Sequence, residues 1–372
     1  MDYHELFPSY DPSWHDNVRR RFASAFIGGE FDHIPVDPMM GGFATVQCGY
    51  GVRDFYERPE LGVECLAYIY QLYDLLPVTH WIPSLPWLND LGVEIRTMEH
   101  IAPVPKAPIV SEPEDVDTLR VPDVEEIKKG WAYRHLTRAY GHTIEHLKKF
   151  VLPITYGIEL IGGAAELCGA ENYIMWTMVE KEAAHKLKDI YRETAVNGSE
   201  AIASTYCSAM ITTGAALANS DIFPDEAIEE FAAPNLRKFL DESFRRGAGP
   251  QIFYHFCGNH ETSYKVYKKH MMLSPFTILQ VGYKGRDPFP SGLLKDEFGK
   301  LVTIMGSVDT KLFVVPDPKA VYEQSKQQLL EGRDSPRGYV LGTACEIPPY
   351  SFPGNLLAMN RAVEDHGSFG QW

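Results

Sequence analysis

The chain has 372 residues, 45% of them hydrophobic and 23% charged, and a formal net charge of −15. That length and mixture suit one large-cored globular domain of barrel size. The acidity repels phosphate backbones, so nucleic acid is not an expected partner. With no basic leader and no apolar run of membrane-spanning length, no membrane partner is expected and a cytoplasmic location is. Six cysteines (Cys48, Cys65, Cys168, Cys207, Cys257 and Cys345) are too few for a disulfide framework at this length, and metal ligation is the alternative use for some of them.

Residues 1–31 are aromatic-rich, and their basic stretch Arg19-Arg20-Arg21 lies in a helix over Asp16–Phe26. They read as an N-terminal helical extension that caps one end of the fold. A first strand is expected over His33–Pro38, then a loop at Met39–Phe43. Gly51 to Leu76 reads as a helix, because Leu61, Cys65, Ile69 and Leu72 recur at helical spacing. Thr79–Ile82 is the expected second strand, with His80 and Trp81 placed to line a pocket or simply to pack. Residues 83–122 are proline-rich and irregular. A helix over Trp131–Lys149 leads to a third strand, Val151–Ile158, which puts Tyr156 and Glu159 at a strand end. Gly162-Gly163 opens a helical hairpin, and Glu180 to about Met210 forms a long helix. Then come a brief strand at Gly214–Leu217, the turn Asn219-Ser220-Asp221, and a helix over Asp225–Arg246 with Phe231, Leu236 and Leu240 as its inner stripe.

From Gln251 onward the alternation is regular: strands near 251–257, 276–281, 301–305 and 339–345, helices near 261–270, 293–299, 318–331 and 354–366. Strands alternating with helices imply parallel pairing, and about eight such units fit the length. The expected fold is therefore α/β, a single (β/α)8 TIM barrel over residues 1–372 with the N-terminal helical extension. Chemistry in such barrels gathers at the carboxyl ends of the strands.

One stretch stands out there, Ile252-Phe253-Tyr254-His255-Phe256-Cys257-Gly258. Side chains alternate along a strand, so Phe253, His255 and Cys257 share a face, and an imidazole and a thiol emerge together at the strand's end. A second thiol, Cys345, ends another predicted strand. Two sulfurs and one imidazole suit zinc, and three protein ligands leave a coordination position open for catalysis. Glu346 adjoins the cysteine, and Glu159, Asp221 and Asp309 end other predicted strands as candidate catalytic or fourth-ligand carboxylates. The rival reading makes His255 a hydrogen-bonded core histidine and the cysteines small hydrophobes. Asp309 reads equally as a helix cap, and His260, past the turn, as an exposed residue. No phosphate-binding glycine motif occurs.

His255-Phe256-Cys257-Gly258-Asn259, Gly306-Ser307-Val308-Asp309 and Gly342-Thr343-Ala344-Cys345-Glu346-Ile347-Pro348-Pro349 resemble the uroporphyrinogen decarboxylase superfamily, and within it the zinc-dependent, corrinoid-linked methyltransferases. The resemblance implies a (β/α)8 barrel with zinc held by His255, Cys257 and Cys345. It also implies a separate cobalamin-bearing protein as partner, since no corrinoid-binding segment is evident in the chain. Methyl exchange with a thiol or with a methoxylated aromatic both fit. The 20 Tyr, 19 Phe and 6 Trp incline the expectation toward O-demethylation of an aromatic ether. Uroporphyrinogen decarboxylases carry an arginine-bearing segment after the first strand; Met39-Met40-Gly41-Gly42-Phe43 has no cation. A metal-free decarboxylase and a non-enzymatic barrel with a structural zinc rank below methyl transfer.

Overall fold

The computed structural model describes residues 20, 21, 24, 32–76, 85–145, 154–157, 159–207 and 209–368. Among these, seven parallel strands form the main sheet: β1 (Val36–Asp37), β2 (Ile154–Gly157), β3 (Met210–Ala215), β4 (Ile252–Asn259), β5 (Thr277–Lys284), β6 (Thr303–Met305) and β7 (Tyr339–Gly342). Their spatial order is β1-β7-β6-β5-β4-β3-β2. The first strand thus pairs with the last, Val36 opposite Leu341, as curling into a barrel requires. The fold is the TIM-barrel-like α/β architecture expected. The expected second strand, Thr79–Ile82, with His80 and Trp81, lies outside the described residues.

Helices follow the strands and cover the sheet's outer face. Those used below are α1 (Gly42–Gln47), α2 (Val52–Glu57), α3 (Pro59–Leu72), α4 (Trp131–Glu145), α5 (Leu160–Cys168), α6 (Ala170–Val179), α7 (Lys181–Tyr206), α8 (Ala233–Arg245), α9 (Ser263–Lys268), α10 (Ser291–Phe298), α11 (Pro318–Gly332) and α12 (Pro353–His366). In the second half each helix falls within a few residues of its expected place, because the apolar period alternates cleanly between strand and helix there.

The first half differs in detail. The single helix expected over Gly51–Leu76 is two, α2 and α3, since Pro59 starts a new helix at its first position. Leu61, Cys65 and Ile69 are buried as the spacing implied, but Leu72 is 56% exposed. The loop expected at Met39–Phe43 runs into α1. The helical hairpin is α5 and α6, broken at Gly169, whose φ of 89° only glycine adopts easily. Helix α7 stops at Tyr206, where Cys207 turns left-handed at φ 60°, so β3 begins at Met210, earlier than expected. The helix over Asp225–Arg246 contains a widened π turn at Ile228–Ala232 ahead of α8, and Phe231, Leu236 and Leu240 are buried. Irregular residues 83–122 hold only a two-residue antiparallel pair, Ile95–Arg96 with Val104–Pro105, and short turns of helix. Most of the N-terminal extension lies outside the described residues; its Arg21 is buried and grips Asp32 and Asp74.

Candidate metal centre

Register places the site. In parallel pairing Gly214 of β3, His255 of β4, Gln280 of β5 and Met305 of β6 stand side by side in one row. Row partners share a face, and Tyr254 on the alternate face sends its hydroxyl to the Met272 carbonyl beyond the strand. His255 therefore points inward. Between Phe256 and Asn259 the β4–β5 register slips, and Gly258 takes a φ of 84°. Such a bulge re-aims side chains at the end of a strand. Here it carries Cys257 beside His255 and lets β4 run on to Asn259. The Asn259 side chain then accepts the backbone N–H groups of Glu261 and Gly285 and donates to Asp221. The Cβ of any larger residue at Gly214 would press on the His255 backbone, so glycine is needed there.

Strand β7 ends at Gly342, three residues earlier than expected, and Cys345 sits in the turn beyond it. Bonds from the Ala344 N–H to the Val308 carbonyl and from the Ile347 N–H to the Met39 carbonyl hold that turn. The Nε2 of His255 and the Sγ atoms of Cys257 and Cys345 all lie within 4.8 Å of one another. The two sulfurs are 3.4 Å apart, and Cys345 Sγ is 3.7 Å from His255 Nε2. Tetrahedral zinc at ordinary bond lengths separates its donors by roughly 3.5–3.8 Å, close to the sulfur–sulfur and Cys345–His255 separations.

The three side chains are electrostatically coupled. The contact between the two thiols, together with His255, draws Cys345 well below the usual thiol range. The same contact, with burial, drives Cys257 above it. One proton leaves this pair easily and the second resists, the behaviour of coupled acids in a confined space. Burial disfavours a charged His255, but the Cys345 contact and Gln280 outweigh it and raise the imidazole's pKa. All six cysteines are free thiols.

The other residues singled out from sequence divide. Glu159 is drawn toward the centre: it is close enough to affect the charge of both His255 and Cys257. Its carboxylate is held by the backbone N–H groups of Ala216 and Leu217, the latter at 2.7 Å, and burial raises its pKa against those two bonds. Asp221 is bound by Asn259 on the outer loop. Asp309 caps the turn Thr310–Phe313, accepting the Lys311 N–H at 3.0 Å and the Tyr283 hydroxyl at 2.8 Å. Neither belongs to the three-donor group. Tyr156 shares the inner face, in register through Thr212 with Phe253, one level below His255. It is fully buried, its hydroxyl against Tyr140. His260, expected to be exposed, is completely buried: because β4 continues past the bulge, its imidazole lies between Ser263 Oγ and the Cys257 carbonyl.

Gln280 carries a role that the linear pattern did not assign, and Glu346, expected as a candidate fourth ligand, is not in the three-donor group. Gln280 bonds His255 Nδ1 at 2.5 Å. A glutamine within the buried apolar run Thr277-Ile278-Leu279-Gln280-Val281 is itself a signal, because a buried amide must find partners. Glu346 stands beside Cys345, open to solvent on one side and flanked by the Gly41-Gly42 backbone on the other. Burial and the neighbouring thiolate push it up to about 7, against bonds from the Gly42 and Gly41 N–H groups. A Cβ on Gly41 would sit 2.7 Å from its carboxylate oxygen, so a larger residue there would displace the carboxylate.

Fold and site together define a barrel of the TIM type with a half-buried His/Cys/Cys donor set at its mouth. The uroporphyrinogen decarboxylase (URO-D) family profile matches residues 17–366, and the chain belongs to that family. A methylated-thiol–coenzyme M methyltransferase of Methanosarcina mazei is 25% identical over 359 residues, covering 93% of this chain and 89% of that protein. A solved methyltransferase structure from Methanosarcina mazei superposes with a TM-score of 0.76 at 17% identity, over 94% of this chain and 98% of that one. That superposition supports the fold.

Proposed function

We propose that the chain is a zinc-dependent methyltransferase that exchanges a methyl group between a small substrate and a corrinoid carried by a separate protein. The observation that carries the reading is the convergence of His255 Nε2 with the Cys257 and Cys345 sulfurs, three donors from two distant β/α units. The methyltransferase relative supports it.

Zinc bound there would supply Lewis acidity to the sulfur or oxygen that carries or receives the methyl group, lowering the pKa of an incoming thiol or easing departure of an alkoxide or phenolate. The protein does the rest. Among the described residues His255, Cys257 and Cys345 offer three donors and no fourth, so an incoming group has a place. Glu346, exposed next to Cys345, puts a carboxylate within reach of a substrate proton. Glu159, tied to the turn after β3, contributes a fixed negative field toward His255. Asp221 and Asp309 hold the surrounding loops, and Tyr156 supports the floor.

A thiol is the better-supported methyl partner. It agrees with the relative's substrate. The aromatic-ether reading rested on the abundance of aromatic residues, and the largest of these, Trp87, Tyr140, Tyr156, Tyr173, Tyr254 and Tyr267, are fully buried core residues. Decarboxylation of a polycarboxylate is disfavoured: the amides of Gly41 and Gly42, at the place of the family's arginine segment, are taken by the chain's own Glu346. Among the described residues no helix is long and apolar enough to cross a membrane.

The test is methyl transfer to and from free cobalamin with zinc-loaded protein and a panel of thiols, methyl thioethers and methoxyaromatics. The expected result is turnover with thiols, lost on zinc removal. No transfer with any compound, by protein holding one zinc per chain, overturns the assignment.

A further inference from the structure

The amide of Gln280 touches four atoms, and their chemistry fixes its orientation without reference to the metal. One end of the side chain faces Ser307 Oγ at 3.2 Å and the backbone carbonyls of Thr343 and Ala344 at 3.1 Å each. Carbonyl oxygens only accept hydrogen bonds, so this end must be the NH2. Ser307 is committed the same way, because its hydroxyl donates to the Val281 carbonyl and leaves a lone pair for the amide. The opposite end is then the oxygen, and it stands 2.5 Å from His255 Nδ1. An oxygen without a hydrogen requires Nδ1 to carry one. The neutral imidazole has a single N–H, so its lone pair is on Nε2, the atom that faces the sulfurs.

We propose that Gln280 is a positioning residue of the metal centre, choosing the tautomer of His255 and tethering the turn that delivers Cys345. The proposal rests on the zinc reading above. Through one buried amide, fully shielded from solvent, β5 joins the imidazole of β4 to residues 343 and 344, directly before the second sulfur. Ligating histidines commonly have a partner on the other ring nitrogen, and its loss weakens metal binding by about 10–100-fold. A carboxylate in this position would add a buried charge and could not donate to the two carbonyls. The amide does both jobs while staying neutral.

The experiment measures zinc affinity by competition with a chromophoric chelator, and the visible spectrum of the cobalt(II)-substituted chain, for wild type, Gln280→Leu and Gln280→Glu. In wild type, one zinc per chain and thiolate-to-cobalt charge transfer are expected. Gln280→Leu should bind zinc about 10–100-fold more weakly, with ligand-field bands shifted while thiolate charge transfer persists. Gln280→Glu keeps an acceptor for Nδ1 but loses the donor to residues 343 and 344, so it should fall between the two. It also serves as the test if the leucine variant does not fold. Zinc affinity and cobalt spectra within twofold of wild type, in a folded variant, overturn the role of Gln280 alone. A wild-type chain that binds no zinc overturns the metal centre and this role with it.

Discussion

From Ile252 to His366 strands and helices follow one another through short turns, whereas Asp37 and Ile154, in consecutive described strands of the main sheet, are separated by four of the helices, a proline-rich stretch and an antiparallel pair. All three proposed metal donors, and Gln280, come from the regular half. The irregular half supplies coverings: the Gly41-Gly42 amides under Glu346, and Glu159 at the start of α5. Regular β/α units hold atoms to the tolerance that a metal demands, because each strand is fixed by two neighbours. The looser half can vary what surrounds them. The comparison teaches that the three donors and the groups that cover them come from separate parts of the chain.

The strongest way to break that division is to remove a sulfur. Cys257→Ser and Cys345→Ser should each drop bound zinc from one per chain to near none, measured by metal analysis after dialysis, and abolish methyl transfer. Retained zinc in both would dissolve the site. A packing change in the irregular half should act oppositely. A Cβ at Gly198 would come 2.5 Å from the Trp87 ring, whose indole N–H is bonded to the Tyr156 carbonyl in β2. Gly198→Val should cost about 1–3 kcal/mol in thermal or urea unfolding, while zinc stoichiometry stays at one. Loss of zinc there would show the halves to be coupled.

A gentler contrast lies in pH. Burial raises the Asp90 carboxyl from 3.8 to about 7, with backbone bonding and Arg134 only partly opposing it. Between those values the folded chain holds a proton that the unfolded chain has released. Stability therefore declines as pH rises from about 4 to about 7, and levels off above that. Asp90→Asn should flatten this slope in urea titrations; an unchanged slope would assign it to other groups. The smallest effect belongs to Asp309. Asp309→Ala removes a cap and the Tyr283 bond, costing about 1 kcal/mol, and should leave zinc content untouched. Zinc loss in that variant would return Asp309 to the centre.

The same division governs what could be read from sequence. Past Ile252 the apolar period switches cleanly between 2 and 3.6, and the elements fall close to where it put them. His255 and Cys257 were legible from strand parity alone. Cys345 was legible as a second thiol near a strand end, although the strand stops at Gly342. Gln280 was not, because its partners are set by register across strands, which no local pattern carries. Asp221 and Asp309 illustrate the opposite error of inference: a carboxylate after a strand looks aimed at the mouth, but Asn259 and the Thr310–Phe313 turn engage these two on the loops. In the first half, a proline start at α3, the left-handed Cys207 and the π turn before α8 shift element ends in ways that periodicity does not encode.

The bulge in β4 has a thermodynamic consequence. Because the strand resumes at Asn259 and is pinned there from both sides, the segment bearing the imidazole and the first sulfur is ordered by its own hydrogen bonds. An arriving ion then has little chain entropy to overcome, unlike the small zinc-dependent domains that fold only around their metal. Zinc should enter and leave with the circular dichroism almost unchanged, and the site's affinity should reflect pre-organisation more than folding.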